Sequence, residues 1–593
     1  MRKPGRYIGR EVNSVIKDKA GVGFAFCFPD AYEVGMSCLG LQLLYFFLNR
    51  REDVRCERVF APWPDMEKIM RERGVPLYTL ESRMPLMNFD FIGFTLQYEM
   101  TYTNIINMLE LAGVPPYAAE RGESHPIICA GGPCAVNPEP LAEVFDFFYI
   151  GDGEKNLDEI LDIYISCKNG GLTKKEYLSR LLTVGGVYVP RFYDFSYDAS
   201  GPIKSVSINA AGAPEKIERA VVTDLDSAFF PDRFVIPNIE AVHDRASVEI
   251  ARGCARGCRF CQAGHVHRPV RERGLGRLLG QADCLIKNTG FDEISLVSLS
   301  AADHSRIREL TSELADRHTD AGVSITLPSI RADTIGGDVM EKLRRLRKGS
   351  VTLAPEAGSQ RMRDAINKRM SETEIIDGCR EALGAGIDKI KLYFMVGLPD
   401  ETEEDINEIA GLCAKIAALS RGGRFSVGVS SGCFTPKPFT PFQWAAQDSA
   451  EIFTKKNKKI KSLLKNRRIK FNYQDGYLAR IEAALARGDR RVLRPVIRAY
   501  ELGARFDGWA DSFDYGLWER AFDETGVPLD FFASRERDLN EILPWDHISV
   551  GVTKEHLAAE YKKSKRAEVS PGCDEKCLRC GVRCGRCDGT ARA

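Results

Sequence analysis

The sequence has no net charge, no long apolar run and no apolar segment at its start. Lysine and arginine together number 83, as do aspartate and glutamate, so no overall field attracts nucleic acid or an anionic membrane. No run of about 18 apolar residues is present, which excludes a membrane-spanning helix, and Met1-Arg-Lys-Pro-Gly lacks the apolar core of a signal peptide. We therefore expect a cytoplasmic protein without a membrane partner, whose 593 residues form several domains.

Cysteine, by contrast, is abundant. Eighteen cysteines are present, and eight of them fall into two closely spaced clusters. In a small secreted chain this usage would indicate disulfides, whereas in a large chain without a secretion signal it indicates metal binding in a reducing compartment. We therefore expect a metal centre at each cluster.

The first cluster has the spacing C-x3-C-x2-C and consists of Cys254, Cys258 and Cys261. It follows an apolar run, residues 248–251, that reads as a buried strand. A cubane iron–sulfur cluster normally takes four ligands, so three thiolates leave one iron open for a substrate or cofactor. The spacing therefore predicts a catalytic rather than a structural centre.

This motif resembles the cluster loop of the radical S-adenosylmethionine (SAM) superfamily. There, the open iron of a [4Fe–4S] cluster chelates the methionine part of SAM, and the aromatic residue before the third cysteine, here Phe260, lies near the adenine. The resemblance implies reductive cleavage of SAM to a 5′-deoxyadenosyl radical, with an electron donor such as flavodoxin or ferredoxin as partner. The alternative is a zinc site, which needs a fourth ligand such as His265 or His267.

The cluster lies in a segment, residues 243–470, that alternates apolar runs with helical patterns. Six strands with intervening helices suit the partial (β/α)6 barrel of the superfamily, with its site at the carboxyl ends of the strands. Beyond the strand at 248–251, the predicted strands are residues 293–298, 324–327, 350–354, 389–396 and 425–429.

By resemblance, four of these strands end in residues that bind SAM. Ser298 and Ser300, after the second strand, are expected to contact the amino group of SAM. Ser329 and Arg331, after the third strand, are expected to contact its carboxylate. Glu356, after the fourth strand, is expected to contact the amino group or the ribose, and Gly397, after the fifth strand, the adenine. An arginine suits the carboxylate because it binds bidentately.

Residues 1–195 also alternate strands with helices, which indicates an α/β domain with a parallel, doubly wound sheet of Rossmann type. The predicted strands are residues 22–28, 91–94, 127–130 and 145–150, with a helix over 35–49. Ligands of such sheets bind at the carboxyl ends of the strands. The candidate residues there are Asp30, Tyr32 and Gly35 after the first strand, Thr95 after the second, and Gly131 and Gly132 after the third.

This layout resembles the cobalamin-binding domain that precedes many radical SAM domains. The first loop of that family reads D-x-H-x-x-G, and its histidine is the lower axial ligand of cobalt. Asp30 and Gly35 match, but Tyr32 replaces the histidine, and a phenol with a pKa of about 10 is a poor ligand near neutral pH. Two interpretations stay open: cobalamin bound without a protein axial ligand, or a domain that keeps only the fold.

The remaining segments carry less information. Residues 196–242 resemble a connector, and residues 471–565 read as a helical region. A basic run over 455–470 lies in a helical pattern. It is either a solvated helix face or a phosphate-binding stripe that would favour RNA.

The second cluster lies in a cysteine-rich tail, residues 566–593. Its five cysteines are Cys573, Cys577, Cys580, Cys584 and Cys587. So short a segment cannot build a packed core, so we expect it to need a metal. Four thiolates suit either zinc or a second iron–sulfur cluster.

These features predict a radical SAM enzyme with a B12-binding-type first domain and an unknown substrate. Cobalamin, if bound, would make methyl transfer the expected outcome. Two other functions stay open: an RNA-modifying radical SAM enzyme of the methylation or methylthiolation type, and a non-catalytic zinc-binding scaffold.

Overall fold

A computed structural model of the chain describes residues 2–318, 320–328, 350–420 and 425–584. The chain forms two compact units. The first contains the residues up to Asp244 together with Ala484–Phe532 and Asn540–Ser549, and the second contains Arg245–Ala483, Ala533–Leu539 and the chain from Val550 onwards. Residues 196–242 thus belong to the first unit, and the region 471–565 is shared between the two.

The first unit is built on a six-stranded sheet with the order β2-β1-β3-β4-β5-β6. All neighbours are parallel except β5 and β6. Every residue of β1 is buried, as expected for a central strand covered on both faces. The strands are β1 (Val22–Phe28), β2 (Val54–Phe60), β3 (Phe91–Thr95), β4 (Ile127–Gly131), β5 (Phe147–Tyr149) and β6 (Val187–Tyr188). The predicted doubly wound α/β fold is confirmed.

Helices connect these strands. They are α1 (Tyr32–Gly35), α2 (Leu39–Asn49), α3 (Pro64–Arg73), α4 (Tyr102–Leu111), α5 (Leu157–Asn169) and α6 (Lys174–Arg180). The helix predicted over 35–49 thus starts at Leu39, after the short α1. A hairpin of β7 (Tyr193–Tyr197) and β8 (Ile203–Ile208) and a short strand, β9 (Ile217–Glu218), follow.

Strand β2 was not predicted, because charged residues interrupt its apolar pattern. One of them, Arg58, is fully buried between two carboxylates. Its Nε lies 2.6 Å from Oε1 of Glu81, and its Nη2 lies 2.8 Å from Oε2 of Glu11. The arginine that interrupts the apolar pattern of β2 is therefore paired with carboxylates inside the fold.

In the part of the second unit that the structure describes, seven parallel strands form two sheets, with the orders β10-β13-β14 and β15-β16-β17-β18. A small antiparallel pair, β11–β12, flanks the first cysteine cluster. The strands are β10 (Ala246–Glu249), β11 (Ala251–Arg252), β12 (Arg271–Glu272), β13 (Glu293–Val297), β14 (Ser324–Thr326), β15 (Ser350–Glu356), β16 (Lys389–Val396), β17 (Ser426–Cys433) and β18 (Ile469–Tyr473). Strand β18 was not predicted, since its exposed residues Lys470, which ends the basic run, and Asn472 are both polar.

Helices alternate with these strands, as predicted. They are α7 (Gln262–Val266), α8 (Leu275–Thr289), α9 (Ile307–His318), α10 (Gln360–Ala365), α11 (Glu372–Gly384), α12 (Glu403–Ala417) and α13 (Ala450–Leu463). The central strand β16 shows how the layers form: Ile390, Leu392 and Phe394 are buried in the core with residues of α11 and α12. The opposite face of the strand is less covered, and Tyr393 is 44% exposed there.

The C-terminal part is mostly helical. Its elements are α14 (Gly476–Ala486), α15 (Leu493–Leu502), α16 (Tyr515–Thr525), α17 (Leu529–Ala533), β19 (Ile548–Ser549), which pairs with β9, and α18 (Lys554–Ser564). Between α18 and Cys584 the structure describes only turns and irregular chain. Among all the helices that the structure describes, none combines the length and the apolar character needed to cross a membrane.

The buried Arg58 gives a test of this fold. Arg58→Met would leave Glu11 and Glu81 as unpaired buried carboxylates, which we expect to destabilise the first unit by about 3–5 kcal/mol. Hydrogen–deuterium exchange of peptides from β1 and β2 in the full chain should become much faster. Arg73→Met, at an exposed position of α3, is the control. Equal exchange in both variants would contradict the structural role of Arg58.

Candidate active site

The first three cysteines lie on a tightly wrapped loop, residues 253–261, here called the cluster loop. Gly253 has a φ of +94°, and a Cβ atom there would lie 2.6 Å from the carbonyl oxygens of His267 and Pro269, so only glycine fits. At the other end, the Sγ of Cys261 accepts a hydrogen bond from the backbone N–H of Gly264 at 3.4 Å and caps α7. The loop thus presents its last thiol at the start of a helix.

The two other thiols of the cluster loop influence the ionisation of Cys261. Burial, followed by the neighbouring thiols Cys258 and Cys254, raises the pKa of Cys261 to about 12. A bound soft metal centre would remove these protons, because thiolates are its ligands. No three His, Cys, Asp or Glu side chains in the described ranges are already arranged as a set of metal ligands, so the thiols would move together on binding. In type and spacing, these donors fit an iron–sulfur cluster.

Arg259, between the second and third cysteines, anchors the cluster loop. Its side chain is fully buried, and its Nη2 lies 2.9 Å from Oε2 of Glu560 in α18. Its Nη1 also donates to the carbonyl oxygen of Ala365 at 2.9 Å, at the end of α10. The cluster loop is therefore tied to two helices that lie far from it in the sequence. Arg259 could not be identified from the sequence, because it occupies one of the unspecified positions (x) of the C-x3-C-x2-C motif.

Glu560 stands at the centre of a wider hydrogen-bond network. Burial alone would raise the pKa of Glu560, but hydrogen bonds from Lys563 and Ser570 and the charge of Arg259 outweigh it and lower the pKa to about 2. The network reaches back to the cluster loop, because Asn367 accepts from the backbone N–H of Ser570 at 2.9 Å and donates to the carbonyl oxygen of Gly257 at 3.2 Å. The carboxylate therefore fixes both the loop and the chain that follows α18.

The cluster loop borders a cavity of about 560 Å³, within the size range of small-molecule sites. Cys254 lines it from the loop, Ser298 and Ser300 line it from the end of β13, and Arg268 lines it from the chain before β12. The fourth part of the wall is the cysteine-rich tail, through Cys573, Cys577, Cys580 and Cys584. The structure thus brings the two cysteine clusters to one cavity.

Ser300 contributes a hydroxyl group to this wall that is available to hydrogen-bond a ligand. It is only 8% exposed, and its hydroxyl has no partner among the residues that the structure describes. The hydroxyl of Ser298 is used, since it accepts from the backbone N–H of Ser300 at 3.1 Å. Because a buried hydroxyl without a partner is costly, Ser300 indicates that this wall receives a polar ligand.

Sequence comparisons establish the family. Residues 248–413 match the radical SAM superfamily, and residues 40–190 match the N-terminal region of radical SAM proteins. The uncharacterized protein MJ0966 of Methanocaldococcus jannaschii is 30% identical over 506 residues, which cover 84% of this chain and 97% of that protein. The chain belongs to the radical SAM superfamily.

Other proteins are similar to parts of the chain at lower identity. The tRNA-2-methylthio-N(6)-dimethylallyladenosine synthase of Ehrlichia canis is 24% identical over 237 residues, which are 38% of this chain and 52% of that enzyme. The radical SAM methyltransferase TsrM of Kitasatospora setae, solved with cobalamin and a [4Fe–4S] cluster, is 12% identical with a TM-score of 0.46, covering 72% of this chain and 77% of that one. The cobalamin-dependent SAM radical enzyme OxsB is also 12% identical with a TM-score of 0.46, covering 92% of this chain and 79% of that one.

Of the other predicted SAM-binding positions, the three that the structure describes, Phe260, Glu356 and Gly397, do not line the cavity. Glu356 lies 3.1 Å from the ammonium group of Lys368. Gly397 has a φ of +82°, and a Cβ atom there would lie 2.4 Å from the ring of Phe453, so packing alone accounts for the glycine. Phe260 is half-buried on the cluster loop. Ser329, Arg331 and Cys587 lie outside the described residues.

The N-terminal sheet has the strand order 2-1-3-4-5, in which ligands bind at the switch point between β1 and β3. Tyr32, the replacement for the cobalt-ligating histidine, is 1% exposed there. Its hydroxyl donates to Oε1 of Glu11 and accepts from the backbone N–H of Asn238, both at 3.0 Å. Burial raises its pKa far above the ordinary value, so this phenol is not available as a ligand.

The switch point is covered by a later part of the same unit, residues 506–509. Asn104 of α4 donates to the carbonyl oxygen of Pro29, after β1, and accepts from the backbone N–H of Phe506, both at 2.9 Å. Trp509 adds a hydrogen bond from its Nε1 to Oδ1 of Asp30 at 2.8 Å. Phe506 itself packs on Trp63, with ring centroids 4.5 Å apart.

The glycines of this edge are accounted for by packing. A Cβ atom on Gly35 would lie 2.2 Å from the ring of Phe60, and one on Gly132 would lie 2.9 Å from the carbonyl oxygen of Leu96. Thr95 accepts a hydrogen bond from Gln97, and Gly131 continues the β4 ladder beside it. With its hydroxyl committed, Tyr32 does not ligate cobalt, and the two interpretations of the sequence, cobalamin bound without a protein axial ligand and a domain that keeps only the fold, stay predictions.

Residues 455–463 of the basic run lie on α13, where they are partly neutralised, and Lys470 lies on β18. Lys456 pairs with Glu401 at 2.8 Å and with Asp448 at 2.7 Å, and Lys459 pairs with Glu403 at 3.0 Å. These ion pairs favour a solvated helix face over a phosphate-binding stripe.

The depressed pKa of Glu560 predicts a pH effect. Its ionised form contributes about 3 kcal/mol of stability, which is present above the ordinary pKa of about 4.3 and is lost as the pH falls towards 2. The difference in free energy of unfolding between the wild type and Glu560→Gln should therefore shrink by about 1.5 kcal/mol from pH 5 to pH 3. Urea denaturation at each pH measures it. Glu555→Gln, exposed on the same helix, should show no such trend, and a pH-independent difference for Glu560→Gln would contradict the network.

Proposed function

We propose that this protein is an enzyme that cleaves SAM reductively at a [4Fe–4S] cluster held by Cys254, Cys258 and Cys261, and thereby starts radical chemistry on a substrate still to be identified. The observation that carries the proposal is the shared cavity. It places a cluster-loop thiol, Cys254, beside a buried hydroxyl with free hydrogen-bond capacity, Ser300. Membership of the radical SAM superfamily supports the same reaction type.

The chain's own residues have three tasks in this proposal. The three thiolates hold the cluster and leave one iron without a protein ligand. Ser300 accepts a hydrogen bond from the amino group of SAM, while Arg268, which is 3% exposed in the wall, offers a positive charge to its carboxylate. The walls exclude water, so that a reactive species is not quenched.

When bound and reduced, the cluster supplies the electron that splits SAM into methionine and a 5′-deoxyadenosyl radical, which then takes a hydrogen atom from the substrate. An external one-electron donor such as a flavodoxin or ferredoxin must supply that electron. No step of this proposal uses cobalamin, because Tyr32 is committed to Glu11 and Asn238 and offers cobalt no axial ligand. Methyl transfer through cobalamin is therefore not part of it.

Substitution of the second cluster cysteine tests the proposal. Cys258→Ser should lower the iron content by about four atoms per chain after anaerobic reconstitution and reduce 5′-deoxyadenosine formation to background, because the cluster loses one of its three anchors. Cys284→Ser, at an exposed cysteine of α8, is the matched control and should retain both.

Iron and cobalt analysis with chromatographic assay of 5′-deoxyadenosine measures the outcome. If Cys258→Ser kept wild-type iron and cleavage, the assignment of the cluster would be wrong. Zinc in place of iron, with no SAM cleavage by the wild type, would support the non-catalytic scaffold instead.

A further inference from the structure

The cysteine-rich tail is attached directly to the cluster loop. The backbone N–H of Cys573 donates to the carbonyl oxygen of Ala255 at 2.9 Å, one residue after Cys254. Two residues further on, Glu575 forms an ion pair with Arg369. The first tail cysteine therefore lies beside the loop that carries the first cluster, although more than 300 residues separate them in the sequence.

The thiols of the tail accept hydrogen bonds from the chain around them. The Sγ of Cys577 accepts from the backbone N–H of Arg579 at 3.4 Å. Cys580 accepts from the backbone N–H of Val582, two residues ahead in the same way. Such bonds to sulfur stabilise thiolates and orient them, as the outer-shell contacts of metal ligands do.

The backbone between these cysteines is shaped to permit those bonds. Arg579 and Gly581 have φ values of +50° and +101°, and the chain bends at Gly581. A Cβ atom on Gly581 would lie 2.5 Å from the side chain of Thr553 and 2.6 Å from the carbonyl oxygen of Gly551. This turn is thus pressed against the chain that leads into α18.

A buried positive charge also lies near the tail. Arg268 is almost fully buried and lines the cavity together with the tail cysteines. The described tail contains no helix or strand that would hold these thiols together without a ligand.

We propose that Cys573, Cys577, Cys580 and Cys584 bind a second metal centre, zinc or an iron–sulfur cluster, that forms the wall of the SAM cavity beside Cys254. Its task is to close the cavity: the bound metal holds an otherwise irregular segment in place over the first cluster. The metal site stands on the tail residues alone, whereas the closing role rests on the function proposed above.

The test uses the full-length protein, reconstituted anaerobically with iron, sulfide and zinc. Cys577→Ser/Cys580→Ser should lose the tail metal and keep the iron of the first cluster. Loss of the wall should then speed release of that iron to an added chelator by about tenfold, which corresponds to about 1.4 kcal/mol of easier local opening. Cys284→Ser is the matched control. Circular dichroism of both variants verifies that the fold is retained.

The metal inventory decides the identity of the centre. A loss of about one zinc per chain assigns zinc, and a loss of iron and sulfide beyond the about four irons of the first cluster assigns a second iron–sulfur cluster. Unchanged metal content in the double variant would overturn the site. A lost metal with unchanged iron release would overturn the closing role.

Failure of this inference can be told apart from failure of the proposed function. If the wild type cleaves no SAM but the double variant still loses a metal, the proposed function fails and the tail site stands. If the wild type cleaves SAM and the variant loses no metal, the reverse holds.

Discussion

The buried ion pair between Arg259 and Glu560 is the contact on which the candidate site depends. It connects the cluster loop to α18, the helix after which the cysteine-rich tail begins. A paired guanidinium and carboxylate in a buried position are costly to separate, since either partner left alone becomes an uncompensated charge. This ion pair therefore links the position of the cluster loop to the path of the tail, on either side of the cavity.

The two units differ at the edges of their sheets where ligands would bind. In the second unit, the chain leaves a cavity open next to Cys254 and lines it with a hydroxyl that has hydrogen-bond capacity to spare, Ser300. In the first unit, Phe506 and Trp509 occupy the switch point of the sheet, and Tyr32 is held by Glu11. The chain thus places its own side chains at the edge where ligands of this strand order bind, and the hydroxyl of Tyr32 is already used there.

Apolar patterns in the sequence predicted most of the buried parallel strands and their alternation with helices. Strands that are buried on both faces appear in the sequence as uninterrupted apolar runs. The apolar patterns did not predict β2, where Arg58 is paired inside the fold, or β18, which contains exposed polar residues. The spacing of the cysteines predicted the cluster loop. Contacts over long sequence distances, such as Arg259 with Glu560 or Asn104 with Phe506, leave no local pattern and required the structure.

The central claim is that the cluster loop holds a cluster with one iron open to SAM. Electron paramagnetic resonance of the anaerobically reconstituted, reduced protein, recorded with and without SAM, tests it most directly. The account predicts the signal of a reduced [4Fe–4S] cluster that changes when SAM is added, since SAM becomes a ligand of the open iron. A cluster signal that is identical with and without SAM, or zinc and no signal at all, would contradict it.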